Sequence, residues 1–292
     1  MRKVIFSHIA LFTANMIYAL NYIFAKDVMP AYIEPKAFIL IRVLSAAVIF
    51  FIIHFCFIRE KLDRKDVFYI IICALFGIIL NMLCFFEGLS ITNPINASLI
   101  MITTPLIVYS ISCLIFRHER TYKKFFGVLL GLVGSALLIT DGKFNLQINH
   151  IGDLLIFLNA ISYAIYLLLI QSMMQKYRPI TVLKNLFFVG AIIILPIGYP
   201  EFLNIQFNLM PTGIILKVLF VVLCTTCLAY FLNIYAISTL QASTVAFYIY
   251  LQPLLATFFS VLWGKDFLTT IKLLSAFLIF VGVYFVVKRR PI

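Results

Sequence analysis

The sequence predicts an all-α integral membrane protein of ten transmembrane helices, arranged as two inverted five-helix repeats. Three observations predict this. Apolar runs of about 20 residues, the length that crosses a ~30 Å hydrocarbon core, recur almost without pause. Lys and Arg gather in alternate connections between those runs. The second half of the chain also echoes the first at a nearly constant offset. Composition agrees: the 292 residues are 64% hydrophobic and 12% charged, against about 45–50% and about 25% in a soluble domain. A net charge of +12 would point to nucleic acid in a soluble protein. Here the charges sit in short clusters between apolar runs, so topology accounts for them and no nucleic-acid partner is expected.

The first run opens "MRKVIFSHIALFTANMIYALNYIFAK". Its basic tip resembles a signal peptide, but the apolar stretch outruns an h-region of about 7–15 residues and no small-residue cleavage motif follows. It is read as a retained first helix. The spans fall near 4–25, 35–57, 67–89, 95–116, 124–140, 153–175, 181–200, 214–237, 243–263 and 269–287, with Pro196 and Pro200 crowding the end of the seventh.

Basic residues orient these spans. With the N-terminus inside, sixteen fall on the inner side: Arg2, Lys3, Arg59, Lys61, Arg64, Lys65, Arg117, Arg120, Lys123, Lys124, Lys176, Arg178, Lys184, Lys288, Arg289 and Arg290. Six fall on the outer side: Lys26, Lys36, Lys143, Lys217, Lys265 and Lys272. The bias predicts a multi-pass protein of a bacterial cytoplasmic membrane with both termini in the cytoplasm.

Residues 1–145 and 146–292 form the two halves. Pro105 and Pro253 lie 148 residues apart, and the same offset pairs Ser90 with Ser238, Leu106 with Leu254, Ser112 with Ser260 and Gly134 with Gly282. Earlier the offset slips, pairing Tyr18 with Tyr163 and Ala19 with Ala164. Five spans per copy is an odd number, so the copies run in opposite orientations, a plan common among secondary transporters.

The segment "FFEGLSITNPINASLIMITTPLIV", its echo "YAISTLQASTVAFYIYLQPLLATF" and the glycine-bearing fifth span "FFGVLLGLVGSALLIT" resemble the EamA-type transporters of the drug/metabolite transporter superfamily. The resemblance covers essentially the whole chain. Trp is common in the first and sixth spans of that family, where Tyr18 and Tyr163 stand here. The resemblance implies gradient-driven export or exchange of small metabolites, so a small-molecule substrate and the lipid bilayer are the expected partners. The aromatic, Asn-rich lining itself suits amino acids, nucleobases or mixed apolar amines.

Proline in a helix interior costs roughly 3 kcal/mol. Pro105 and Pro253 each deprive a carbonyl four residues back, at Met101 and Ile249, of its amide partner. Lipid does not tolerate such a group, but a hydrated cavity does. Helix kinks at Pro105 and Pro253 are therefore expected beside a central cavity, with Thr104 and Gln252 as nearby polar groups. On spacing, Asn96, Ile100 and Thr104 share one face, and Thr244, Tyr248 and Gln252 share the matching face. The rival reading is a static kink inherited through duplication.

Other polar residues lie within spans. Arg42 sits about seven residues into the second, roughly 10 Å deep. Glu87 is flanked on both sides by apolar sequence near the outer end of the third. Both lie in the outer half, so a pair between Arg42 and Glu87 is geometrically allowed; the two are expected either as a charge site for a zwitterionic or anionic substrate, with Glu87 open to proton coupling, or as snorkelling side chains or a purely structural pair. Asn15, Tyr18 and Tyr22 share a face, as do Asn159, Tyr163 and Tyr166, and Asn81 lies mid-span. Such groups line substrate cavities or join helices by hydrogen bonds. Gly127, Gly131 and Gly134 predict close helix packing, between the halves or between protomers of a homodimer.

An enzyme would need clustered catalytic groups. His8, His54, His118 and His150 are scattered, and neither H-E-x-x-H nor G-x-S-x-G occurs. Cys224 and Cys227 form an isolated C-x-x-C, read as small core residues rather than a redox or metal pair. No catalytic residue, metal or cofactor is assigned. The phosphate-binding G-x-x-x-x-G-K-[ST] that a primary pump would need does not occur in this sequence. A channel, or a receptor-like scaffold, is less well matched to midplane prolines and an inverted duplication.

Overall fold

The computed structural model describes residues 2–92, 94–116, 120–142, 150–262, 267 and 269–287. Of the residues weighed above, Arg117, His118, Lys143, Lys265, Lys288, Arg289 and Arg290 lie outside that set.

Among the described residues every regular element is helical. In chain order these are α1 (Arg2–Val28), α2 (Pro35–Phe57) and α3, built of Arg64–Ala74, a π-helical stretch Leu75–Ile79 and Leu80–Ile91. Then come α4 (Pro94–Met101 with Thr104–Ile115), α5 (Tyr122–Thr140), α6 (His150–Met173) and α7 (Pro179–Phe202). The chain continues with α8, built of Thr212–Phe220, a π-helical Val221–Leu228 and Ala229–Ile237. Last are α9, which joins Ala242–Phe247, a 3-10 turn Tyr248–Tyr250 and Leu251–Leu262, and α10 (Thr270–Val287). Among the described residues, α1 to α9 are each long and apolar enough to cross a membrane, and α10 is a shorter apolar helix. Their outer faces expose Phe6, Phe51, Phe68, Phe188, Leu216 and Phe277, as a lipid-facing surface would.

The termini of these helices follow local chemistry. Pro35 and Pro179 occupy the first helical positions of α2 and α7, where a missing N–H costs nothing. Thr121 caps α5 by accepting from the Lys124 N–H at 3.4 Å. Asp141 and Gly142 end the same helix in the left-handed region, at φ 49° and 73°. The start of α2 is capped from a distance: one Glu201 carboxylate oxygen accepts from the N–H groups of Lys36 (2.9 Å) and Ala37 (3.2 Å).

The halves are inverted. At the end where α1 starts, called here the near end, Ser7 bonds Thr239 and Lys176 pairs with Asp66 at 2.9 Å. The counterpart helix α6 starts at the far end, where Asp153 accepts from Thr92 at 2.5 Å. Contacts obey the same pseudo-symmetry: α1 packs on α8 and α9, and α6 packs on α3 and α4. Two like-with-like seams, α5 on α10 and α2 on α7, tie the copies together. Glycine makes the first seam close. A Cβ on Gly127 would sit 2.9 Å from the Gly282 carbonyl oxygen, and a Cβ on Gly282 would sit 2.7 Å from that of Gly127. The small-residue face of α5 is thus filled inside this chain, between the two halves.

Three local features differ from the sequence expectation or were absent from it. Pro105 gives a break rather than a kink: α4 stops at Met101 and restarts at Thr104. Thr103 repairs the break, donating its N–H (3.0 Å) and its hydroxyl (2.6 Å) to the Ile100 carbonyl. Before Pro253 the helix tightens to the 3-10 turn instead. By contrast, α7 runs on through both Pro196 and Pro200. Each still deprives a carbonyl four residues back, at Ile192 and Pro196, and Gly198 seats that stretch against the Lys36 backbone. The π-helical stretches were not anticipated. The offset that pairs Pro105 with Pro253 carries Leu75–Ile79 onto residues 223–227, inside Val221–Leu228. Duplication therefore preserved a backbone irregularity that residue identities at those positions do not betray.

Candidate functional site

Where the halves meet lies a cavity. Helix α1 supplies Asn15, Tyr18, Asn21 and Tyr22, α2 supplies Arg42, and α3 supplies Asn81, Met82, Phe85 and Phe86. The rest comes from α4 (Met101), α6 (Asn159, Tyr163), α8 (Thr225, Tyr230, Asn233) and α9 (Val245, Ile249, Gln252). Helices α5, α7 and α10 contribute none of these, consistent with their places in the two seams. Met101 and Ile249, the residues whose carbonyls the prolines deprive, both line the space. A smaller cavity shares Tyr22, Met101, Ile249 and Gln252 with it and reaches Pro253 and Ala256.

Hydrogen bonds fix much of the lining. Gln252 Nε2 donates to Asn15 Oδ1 at 2.8 Å, and Asn15 Nδ2 donates to the Leu11 carbonyl at 2.8 Å. Asn159 Nδ2 reaches the Asn81 carbonyl at 2.7 Å, joining α6 to α3. Asn233 Nδ2 donates to the Tyr18 hydroxyl at 2.9 Å, joining α8 to α1. Tyr22 packs edge-on against Phe85, with ring centroids 5.6 Å apart.

Arg42 is buried, at 3% exposure. Its Nε donates to Thr226 Oγ1 at 2.8 Å, and the guanidinium lies over the Phe86 ring at 4.3 Å. Thr226 is itself oriented, donating to the Val221 carbonyl five residues back at 2.9 Å. The π-helical register of α8 thereby presents the hydroxyl that Arg42 uses.

Of the residues expected from the sequence, the cavity brings together Asn15, Tyr18, Arg42, Asn81, Asn159, Tyr163 and Gln252. Glu87, Thr104 and Tyr248 stand elsewhere. Glu87 does not pair with Arg42. It lies 3.5 Å from Lys36 Nζ, which also meets Glu201 at 3.2 Å. Lys36 precedes Arg42 by six residues, about 9 Å of helix, and so intercepts the acid nearer the far end. Thr104 is fully buried, with its hydroxyl unpartnered outside the cavity lining. Tyr248 points to the near end, where its hydroxyl bonds His8 Nδ1 at 2.8 Å. This contact and the Ser7–Thr239 bond form a polar layer between α1 and the α8–α9 region. On α1 the cavity begins at Asn15, about 10–12 Å further along the helix.

Asn21, Thr225, Tyr230 and Asn233 were missed. Tyr230 and Asn233 are three apart, the spacing of one helical face, and that signal was present. The π-helical stretch before them shifts the phase, so faces counted from the start of α8 do not project them inward. Cys224 and Cys227 lie in that stretch, and among the described residues all the cysteines are free.

Comparison with known proteins agrees with this architecture. A solved crystal structure superposes with a TM-score of 0.75, covering 96% of this chain and 96% of its own, at 15% identity. At that identity the likeness concerns the fold alone. An uncharacterized transporter of Bacillus subtilis (strain 168), YyaM, is 26% identical over 245 residues, 82% of this chain and 80% of its own length. An uncharacterized transporter of Archaeoglobus fulgidus is 28% identical over 226 residues, 75% of each chain. The model of the EamA-like transporter family matches twice, over residues 5–140 and 150–288. The two matches fall on the two inverted halves, and the chain, a multi-pass membrane protein, belongs to the EamA-like transporter family.

Proposed function

We propose that this transporter is a secondary carrier that exports or exchanges small metabolites, amino acids or related compounds, across the cytoplasmic membrane by alternating access. The observation that carries the reading is the placement of the cavity. It lies where two inverted copies meet, lined by α4 and α9 next to their proline interruptions. Inverted repeats that enclose a midplane site with broken helices permit one half to rock against the other. The polar layer at the near end then serves as one gate. With both termini in the cytoplasm, as the sixteen-to-six division of basic residues favours, this arrangement is the state closed to the cytoplasm.

Two experiments test this. Purified protein in liposomes should give saturable uptake of amino acids that depends on an imposed ion or substrate gradient, and its absence for every small metabolite tried favours a scaffold. Reporter fusions near residue 120 should read inside and those after residue 145 outside. A cytoplasmic signal at the second position breaks the proposed orientation.

A further inference from the structure

Each π-helical stretch is held by the other copy. Leu75–Ile79 of α3 packs on α6 and α7, and Val221–Leu228 of α8 packs on α1 and α2, the equivalent helices of the opposite repeat. Side chains then grip the irregular backbone. Ser162 on α6 donates its hydroxyl to the Phe76 carbonyl at 2.7 Å, and Tyr230 on α8 donates to the next carbonyl, that of Gly77, at 3.3 Å. A carbonyl has two lone pairs, so it can take such a donor without giving up its place in the helix. In the second stretch Arg42 Nε donates to Thr226 Oγ1, whose own hydrogen goes to the Val221 carbonyl. These grips are not relics of duplication. At the 145-residue offset of Tyr18 and Tyr163, Ser162 falls on Ile17. At the 144-residue offset of Pro35 and Pro179, Arg42 falls on Leu186. Both copies keep the irregular backbone, but the donors that hold it differ. Ser162 is buried and is not among the residues that line the cavity, so contact with a substrate does not account for its hydroxyl.

We propose that Ser162, Tyr230 and Arg42 are positioning residues of the transport cycle: they clasp the two π-helical stretches from across the interface between the halves, and α3 and α8 swing about those stretches when the clasps open. Helices bend at π-bulges, and such bulges gather at functional sites. The Ser162, Tyr230 and Arg42 bonds each run from one half to the other, so they hold only while the halves keep their present arrangement. Rocking one half against the other must release them. Release at either stretch then carries along α8 to the near end, where Thr239 meets Ser7 of α1. This deepens the carrier reading and rests on it.

Amide hydrogen exchange of the full chain in lipid nanodiscs, read by mass spectrometry, tests this without a substrate or an added cysteine. Ser162→Ala should speed exchange in Leu75–Ile79 roughly threefold to tenfold, the loss of one hydrogen bond. The near end should respond as well: the Ser238, Thr239 and Leu240 amides, bonded to the Ile234 and Ala236 carbonyls, should also exchange faster. The α5–α10 seam should keep its wild-type rate. Thr226→Val is nearly isosteric and takes the acceptor from Arg42 at the other stretch. It should produce the same near-end change, and it decides alone should Ser162→Ala fail to fold. The proposal is overturned if the change stays within the π-helical stretch, if no rate changes, or if the seam speeds up equally, which is plain loss of stability. A coupled near-end response without flux of any metabolite in liposomes would remove the carrier reading and keep these clasps. Saturable flux together with an uncoupled response would do the reverse.

Discussion

Gln252 Nε2 meets Asn15 Oδ1 at 2.8 Å, joining the residue just before the second proline interruption to the middle of α1. Both side chains are buried and both line the cavity. The bond therefore ties the interrupted helix to the opposite half of the protein. Asn15→Ala and Gln252→Ala should each lower transport about three- to tenfold, the worth of one buried hydrogen bond. The double variant should lose less than the product of the two. Strictly multiplicative losses in a double-mutant cycle would mean that the contact is not used.

The prolines come next. Pro105→Ala restores an N–H to α4 and Pro253→Ala one to α9, each beside the cavity. Both variants should insert normally and show altered transport rates. Wild-type rates in both would mark the interruptions as inherited and idle.

At the near end, the Tyr248–His8 contact should hold α9 against α1. Tyr248→Phe removes the hydroxyl while keeping the ring. In a background without the six native cysteines, a cysteine introduced by Asn233→Cys should then react faster with a water-soluble thiol reagent added from the near side. An unchanged labelling rate would mean that this layer is not a gate.

Glu87 and Glu201 both face Lys36, yet they should not be equivalent. Glu201 also accepts from two N–H groups at the start of α2. Glu201→Ala should cost about 0.5–2 kcal/mol of stability, the range for loss of a helix cap. Glu87→Ala should cost less, because a half-exposed ion pair is worth about 1 kcal/mol or less. Thermal melting of the two variants side by side separates them.

The glycine seam makes the sharpest contrast. Gly282→Ala would place a methyl group 2.7 Å from a backbone oxygen, which cannot swing aside. A loss of about 1–3 kcal/mol is expected, as for overpacking in a close-packed core. At Gly213, near the start of α8, a methyl group would have nothing within 4 Å of it, so Gly213→Ala should be neutral or mildly stabilising, by up to about 1 kcal/mol. Equal effects at the two sites would contradict the seam.

The spans and the inverted duplication were legible because they rest on long apolar runs and on repeated residues such as Pro105 and Pro253. Cavity residues were legible where helical periodicity is regular: Asn15 and Tyr18 on α1 share a face, and so do Asn159 and Tyr163 on α6. They were not legible past the π-helical stretch of α8, where one extra residue per turn rotates Tyr230 and Asn233 out of the expected phase. Glu87 misled because depth was read without its competitor, and Lys36 reaches it before Arg42 does. Thr104 and Tyr248 misled because face-counting assumed an unbroken helix through each proline region, and neither region is one.

The approach of Gly127 to Gly282 has a bearing on how such a chain can change over time. Each glycine occupies the space that a side chain on the other would need. Two copies that arose from one sequence are free to diverge wherever they face lipid or the cavity, and Arg42, which falls on Leu186 at the 144-residue offset between Pro35 and Pro179, shows that they have. At this seam they are not free. A larger residue in either copy is excluded by the backbone of the other, so the two positions are constrained as one site with two addresses, and the halves must remain paired to each other whatever the cavity between them comes to carry.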